Sequence, residues 1–331
     1  MSASSSIAKF SDRRFCVAPM LDWTDRHERT FLRLLSKRAM LYTEMVTTGA
    51  LIHGDAKRYL QFNKEEHPVS LQLGGSEPKA MALCAKMAED EGYNEVNINV
   101  GCPSDRVQNG AFGACLMAEP ELVAENVHAM QAAVDIPVTV KNRIAIDEME
   151  EYESLHRFLS IVSEAGCETF LVHARKAWLK GLSPKQNRDV PPLNYELVYQ
   201  MKREFPHLEI IINGGIKTLD ETEQHLEHVD GVMIGREAYH NPYMMIDVDQ
   251  RIYGENAPPP LTRHEVLEAY IDYMQKQMAE GANLKHMSRH ILGLFTGEAG
   301  AKAWRRHISE NAYKAGADIN VIKKAASFIT S

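Results

Sequence analysis

Short runs rich in β-branched and apolar residues recur along the chain at a nearly even interval. They are FCVAPM (15–20), LYTEMV (41–46), VSLQLGG (69–75), VNINVGC (96–102), VTVKNRI (138–144), TFLVHAR (169–175), EIIINGG (209–215) and GVMIGRE (231–237). The stretches between them carry apolar residues at helical spacing, most plainly PKAMALCAKMAEDEG (78–92) and PELVAENVHAMQAAV (120–134). Strands alternating with helices predict a parallel sheet, either open and doubly wound or closed. The count of eight and the even spacing favour an α/β fold of the TIM (β/α)8 barrel type, which usually takes about 250 residues. The pattern stops at GENAPPP (254–260), a linker by composition. Beyond it TRHE (262–265) is a capping-box pattern, opening a helix with apolar positions at Val266, Ala269, Tyr270 and Tyr273. Further helices are predicted over 287–296, 301–314 and 319–329. The expected organisation is a disordered or extended N-terminus (1–14), a barrel (15–254), a Pro-rich linker (255–260) and a small C-terminal helical domain (261–331).

Composition narrows the class. Of the 331 residues 44% are hydrophobic and 25% charged, ordinary values for a globular chain able to bury a large core. The serine-rich start, MSASSSIAKFSDRR, lacks the apolar segment of a secretory signal, and no run approaches the roughly 18–20 apolar residues of a membrane span. Cys16, Cys84, Cys102, Cys115 and Cys167 form neither CxxC nor a zinc-site cluster, so no metal is expected. An odd, scattered set of thiols in such a chain points to the cytoplasm. The net charge of −8 argues against a general nucleic-acid coat, yet residues 261–331 carry +3 and the remainder −11. The tail has a different task from the barrel.

In this fold chemistry belongs at the C-terminal strand ends, while inner positions are expected to be bulky and apolar. The strand ends here are polar together: Gln72; Asn97, Asn99 and Cys102; Lys141 and Arg143; His173 and Arg175; Asn213, Gly214 and Gly215; Gly235 and Arg236. Any one of them alone reads more readily as a rim residue, a turn or a satisfied core group than as a functional one. Glycine-rich loops after the last two strands, however, are where this fold commonly holds a phosphate on backbone N–H groups, and Arg236 adds a cation there. Lys141, His173 and Gln72 lie deeper and can bond to an extended, anionic, planar ligand. Flavin mononucleotide (FMN) has that shape, and a lysine near N1 of its ring favours the reduced anion. Ala18, Pro19 and Met20 at the first strand tip suit a ring face, or simply form a tight turn.

The segments VAPMLDWTDRHERTFLRLL, LYTEMVTTGALIHG, HPVSLQLGG, VNINVGCPSDRVQNGAFGACLM, VTVKNRIAID, VHARKAWLKGLSP, INGGI and GVMIGREAYHNP resemble the tRNA-dihydrouridine synthases. With RHILGLFTGEAGAKAWRRHISENAYKAGADI, the set is most similar to the bacterial A-type members, over roughly residues 15–322. The resemblance implies an FMN-bound barrel with a C-terminal helical tRNA-binding domain, reducing uridines 20 and 20a of the tRNA D-loop. It implies that Ala18, Pro19 and Met20 line the flavin and that Gln72, Lys141 and His173 bond to it. It further implies that Asn213, Gly214, Gly215, Gly235 and Arg236 hold the phosphate, and that Cys102 is the proton donor. One departure is Asn142-Arg143-Ile144-Ala145 where Lys-x-Arg-Ile-Gly is the pattern, which touches only local loop geometry.

Saturating the 5,6 bond of uracil needs a hydride at one carbon and a proton at the other, and an ordinary thiol, protonated at neutral pH, suits the second role. A uridine inside folded tRNA must leave its stack to be reached, so base flipping is expected, with the RNA held by shape and phosphate. Two basic stretches can hold it. The loop after the sixth strand carries Arg175, Lys176, Lys180, Lys185 and Arg188 with no acid over 173–188, and the tail carries Lys302, Arg305 and Arg306. Asn99 is taken as a further substrate contact, and Trp304 as either a stacking or a core residue. No strand-borne GxGxxG opens a dinucleotide domain, so NADPH, or NADH, is expected only as a transient reductant. A monomer is expected. Competing readings are a flavin barrel acting on a small pyrimidine of the dihydroorotate type, a non-enzymatic tRNA-binding protein, and a Schiff-base aldolase using Lys141.

Overall fold

The computed structural model describes residues 12–104, 107–108, 110–254 and 259–330. Residues 1–11 and most of the Pro-rich linker, 255–258, lie outside the described residues. All eight strands form: β1 (Phe15–Val17), β2 (Met40–Thr47), β3 (Val69–Gly74), β4 (Glu95–Val100), β5 (Val138–Arg143), β6 (Thr169–His173), β7 (Glu209–Asn213) and β8 (Gly231–Ile234). They pair in parallel in chain order, and β8 returns to β1 to close the barrel. The expected strand runs overreach by two or three residues at several C-terminal ends, because the polar Gly-Cys, Ala-Arg and Gly-Gly pairs leave the ladder to form loops.

Helices cover the barrel in the expected places. They include α1 (Arg26–Leu35), α2 (Pro78–Glu91), α3 (Pro120–Gln131), α4 (Glu151–Glu164), α5 (Tyr195–Glu204) and α6 (Leu219–Leu226). Proline at the first position and the Glu77 side chain on the Lys79 and Ala80 N–H groups start α2, and Gly92 in the left-handed region ends it. A five-residue helix, α7 (Arg236–His240), follows β8.

The tail begins as its capping box predicts. Thr262 and Glu265 close the box on α8 (Arg263–Ala279), followed by α9 (Ala301–Asn311) and α10 (Ile319–Ala326). The helix expected over 287–296 is broken into Leu284–Ser288 and a 3-10 turn, Arg289–Ile291. These helices lie on the barrel: Tyr270 Oη donates to the His27 carbonyl at 3.0 Å and Arg289 pairs with Asp25 at 2.6 Å. Trp304 is a core residue, fully buried, with Nε1 donating to the Ile291 carbonyl and its ring edge-on to Phe295.

The barrel interior departs from expectation. Cys16, Ala18, Met40, Tyr42, Leu171, Ile211 and Met233 form an apolar cluster from β1, β2 and β6–β8. The inward positions of β3–β5 are polar instead: Ser70, Gln72, Glu95, Asn97, Asn99 and Thr139 are all buried and joined by hydrogen bonds. Burying such groups is tolerable because each finds a partner.

Candidate active site

At the C-terminal mouth of the barrel, β4 ends at Val100 and the chain turns sharply. Asn99 Oδ1 accepts from the N–H groups of Gly101 and Cys102 at 3.1 and 3.0 Å. The half-buried Cys102 thiol lies 3.5 Å from Ser104 Oγ. The loop then folds back, the Ala114 N–H donating to the Cys102 carbonyl at 2.9 Å. Gly113 permits this return: its φ is +77°, and a Cβ there would stand 2.6 Å from the Cys102 carbonyl oxygen. Cys16, Cys84 and Cys167 are buried core thiols, so Cys102 and the half-buried Cys115 are set apart.

Facing this loop are cations. Lys141 Nζ donates to Asn213 Oδ1 at 3.2 Å, and Asn213 Nδ2 donates to the Met233 carbonyl at 2.7 Å, tying β5 to β7 and β8. Burial, then the nearby Arg143, lowers the Lys141 ammonium to about 7. Burial and the charges of Arg143, Lys141, Arg175 and Arg188 hold His173 well below the usual range, so its ring is neutral. Arg143 is itself lowered to about 10, mainly by burial. Arg188 is lowered by burial and then by Arg236. Arg236 reaches Asp189 at 2.7 Å, and Arg175 donates to the Pro191 carbonyl while its buried Nε has no partner among the described residues. Among the described residues Asp189 is thus the acid set against Arg175, Arg188 and Arg236, one negative charge against three positive. Such a cluster is arranged for an anion.

The β7 and β8 tips leave room for one. Gly214 and Gly215 have φ of +123° and +75°, and a Cβ at Gly214 would stand 2.9 Å from His173 Cδ2. Gly235 lies beside Ala18 and Met20, whose strand is fixed by the Ala18 N–H on the Ile234 carbonyl at 2.8 Å. The β1 tip, both glycine corners, Lys141, His173 and Cys102 therefore share one mouth. A phosphate-bearing planar ligand fits this donor set, with the orphaned Arg175 Nε and the surplus arginine charge at the phosphate end.

The remaining predicted residues fall in three places. Gln72 is buried and shares its amide with Asn97 and Asn99. Asn99 is 8% exposed, and its Oδ1 serves the Cys102 turn, which leaves one Nδ2 hydrogen for a ligand. Lys176 Nζ donates to the Met149 carbonyl at 2.6 Å, whereas Lys185 and Arg188 are exposed on the basic loop. Lys302, Arg305 and Arg306 occupy the solvent face of α9, opposite the buried Ala301, Trp304 and Ile308. Arg306 pairs with Glu310.

Two residues that sequence reasoning assigned no role join these parts. Arg143 donates to the carbonyls of Gly101 (3.2 Å) and Asn187 (3.0 Å). Gln108 Nε2 donates to those of Pro103 (2.8 Å) and Leu179 (2.9 Å). The cysteine loop and the basic loop are stapled together by both. The spacing of Lys141 and Arg143 on one strand face was the available signal for the first; nothing local marks Gln108. A surface cavity of about 620 Å³ lies at the opposite end of the barrel, by Arg13, Glu168 and Glu209, away from this chemistry.

The family model described as dihydrouridine synthase matches residues 16–330. The chain is 60% identical over 317 residues to a tRNA-dihydrouridine(20/20a) synthase of Vibrio cholerae, covering 96% of both chains. It is 59% identical over 319 residues to the Escherichia coli K12 protein of the same name, covering 96% of this chain and 91% of that one. Among solved structures, an old yellow enzyme homologue of Zymomonas mobilis superposes with a TM-score of 0.53 at 11% identity, over 78% of this chain and 93% of that one. A 2-naphthoyl-CoA reductase superposes with a TM-score of 0.54 at 11% identity, over 72% and 50%. At that identity the likeness concerns the barrel alone.

Proposed function

The chain belongs to the dihydrouridine synthase family, and from that membership we propose that it reduces uridine to 5,6-dihydrouridine at positions 20 and 20a of the tRNA D-loop. The cofactor is bound FMN, re-reduced by NADPH. The observation that carries this reading is the meeting, at one barrel mouth, of a half-buried thiol, a lysine of lowered pKa and a surplus of arginine charge.

Asn213, Gly214, Gly215, Gly235 and Arg236 hold the phosphate, joined by Arg175, whose Nε is unpartnered among the described residues. Ala18, Pro19 and Met20 line the ring, with Gln72, Lys141 and His173 bonding to its polar edge. Being neutral, His173 offers a hydrogen bond without adding to the positive charge. When bound and reduced, the flavin supplies a hydride for C6 of uracil, the electron-poor carbon conjugated to the C4 carbonyl. Cys102 gives its proton to C5 from the opposite face, so the double bond gains one hydride and one proton and the residue is left as thiolate. The remaining Asn99 hydrogen can meet a uracil carbonyl. Lys176, Lys185 and Arg188 on the basic loop, with Lys302, Arg305 and Arg306 on α9, hold the tRNA backbone. The protein acts as a cytoplasmic monomer, and residues 261–331 serve as its tRNA-binding domain.

The test is Cys102→Ala in single-turnover kinetics. Flavin content, flavin reduction by NADPH and tRNA affinity should persist. Oxidation of the reduced flavin by unmodified tRNA should slow by about 10²–10⁴-fold, the usual loss for a positioned acid. A variant that makes dihydrouridine at the native rate would overturn the assignment of Cys102, and a protein that takes up no FMN would overturn the flavin reading.

A further inference from the structure

The polar half of the barrel interior is a single directed chain. Its lower end is Glu95, fully buried, with Oε2 accepting from Arg13 Nε at 2.6 Å. Its Oε1 accepts from the hydroxyls of Thr139 (2.8 Å) and Ser70 (3.0 Å). Its upper end is the pair of backbone N–H groups at Gly101 and Cys102, which can only donate. Everything between must conform to both ends. Because Thr139 spends its one hydrogen on Glu95, it can only accept from Asn97, and Asn97 Nδ2 lies 2.8 Å away. Asn97 must then turn Oδ1 toward Gln72, which donates from Nε2 at 2.7 Å. Gln72 in turn shows Oε1 to Asn99 Nδ2, also at 2.7 Å. That leaves Asn99 Oδ1 facing the cysteine turn.

We propose that Glu95 and Thr139 are positioning residues for the reaction: the buried carboxylate at the bottom of the chain fixes which way the amides of Asn97, Gln72 and Asn99 point, and so holds the Cys102 turn. Neither residue touches the mouth. Their effect is carried by donor and acceptor order alone.

Glu95→Gln tests this, since it changes no volume. Facing Arg13, the new amide must turn its oxygen to the guanidinium and its NH2 to Thr139. Thr139 then accepts where it donated, and its freed hydrogen can go to Asn97 Oδ1, which opens the reversed order, in which Asn99 aims Nδ2 at two N–H groups. The turn should come loose. Alkylation of Cys102 by iodoacetamide, followed by peptide mass spectrometry on ligand-free protein, should quicken by about tenfold, the worth of roughly one hydrogen bond. In the FMN-loaded protein the visible flavin band should shift as Gln72 turns. Thr139→Val, which removes the relay, should act likewise, and Thr139→Ser should return both readings to within about twofold of native. If Glu95→Gln does not fold, the Thr139 pair carries the test alone. Native alkylation and an unmoved band in a folded Thr139→Val protein would overturn the proposal, as would failure of Thr139→Ser to restore them. The spectral reading rests on the flavin assignment, whereas the alkylation reading does not, so failure of the two can be told apart.

Discussion

Lys141 sits in the ligand-free mouth with a pKa lowered to about 7, chiefly by burial and then by Arg143. The unfolded chain holds the same proton to about 10.4, so between these values it binds more protons than the fold. Stability therefore rises with pH across that window as far as this group is concerned. The whole cost is present below pH 7 and is gone above about 10.4. Lys141→Met should accordingly raise the Tm of ligand-free protein at pH 6, by about 2–4 °C for each kcal/mol recovered. The gain should shrink toward pH 10, and thermal melts across pH measure it. A gain independent of pH would mean packing rather than charge. Residue by residue, the sequence disclosed the chemistry at strand tips because glycine, cysteine and lysine are conspicuous after apolar runs. It was silent on Arg175 Nε and Asp189, whose meaning comes from loops that approach only in the folded chain.

At the scale of elements, the eight strands were legible from periodicity, while the character of the barrel interior was not. Alternation in VNINV and VSLQL was visible, but a period of two does not say which face is inside, and inner faces are usually apolar. The broken helix near 287–291 escaped for a related reason: its apolar pattern continues through a stretch that tertiary packing folds as a 3-10 turn. The staple between the cysteine loop and the basic loop has its own consequence. Gln108 bonds to Pro103 and Leu179 but to none of the groups assigned to the flavin. Gln108→Ala should leave flavin content and NADPH oxidation intact while lowering kcat/KM for tRNA by about tenfold or more, as small misplacements of reacting groups do. Steady-state kinetics with tRNA, set against NADPH oxidation alone, would show whether the two fall together, which would rule out a purely positional effect.

Over the whole molecule, the tail is joined to the loops of the mouth. Arg289 pairs with Asp25, Tyr239 of α7 donates to the Arg289 carbonyl, and Thr296 donates to that of His240. α9 is tied to this same segment through Trp304 Nε1 on the Ile291 carbonyl. Reversing Arg305 and Arg306 to Glu should weaken tRNA binding and flatten the plot of log K against log salt by up to about 2, since each phosphate left unneutralised keeps its counterion. Arg305 should count for more, since Arg306 already has Glu310 beside it. Filter binding at several salt concentrations checks both, and the fold should survive because Ala301, Trp304 and Ile308 on the other face are untouched.

The chain of amides under Cys102 also bears on how the acid is recharged. Asn97, Gln72 and Asn99 neither gain nor release protons in the working pH range, so they pass no proton upward from Glu95, however well aligned they are. On the role proposed above for Cys102, each dihydrouridine formed would leave a thiolate whose replacement proton comes from the mouth side, where Ser104 Oγ lies 3.5 Å from the sulfur. Reloading the acid and discharging the product would then both take place at the barrel mouth.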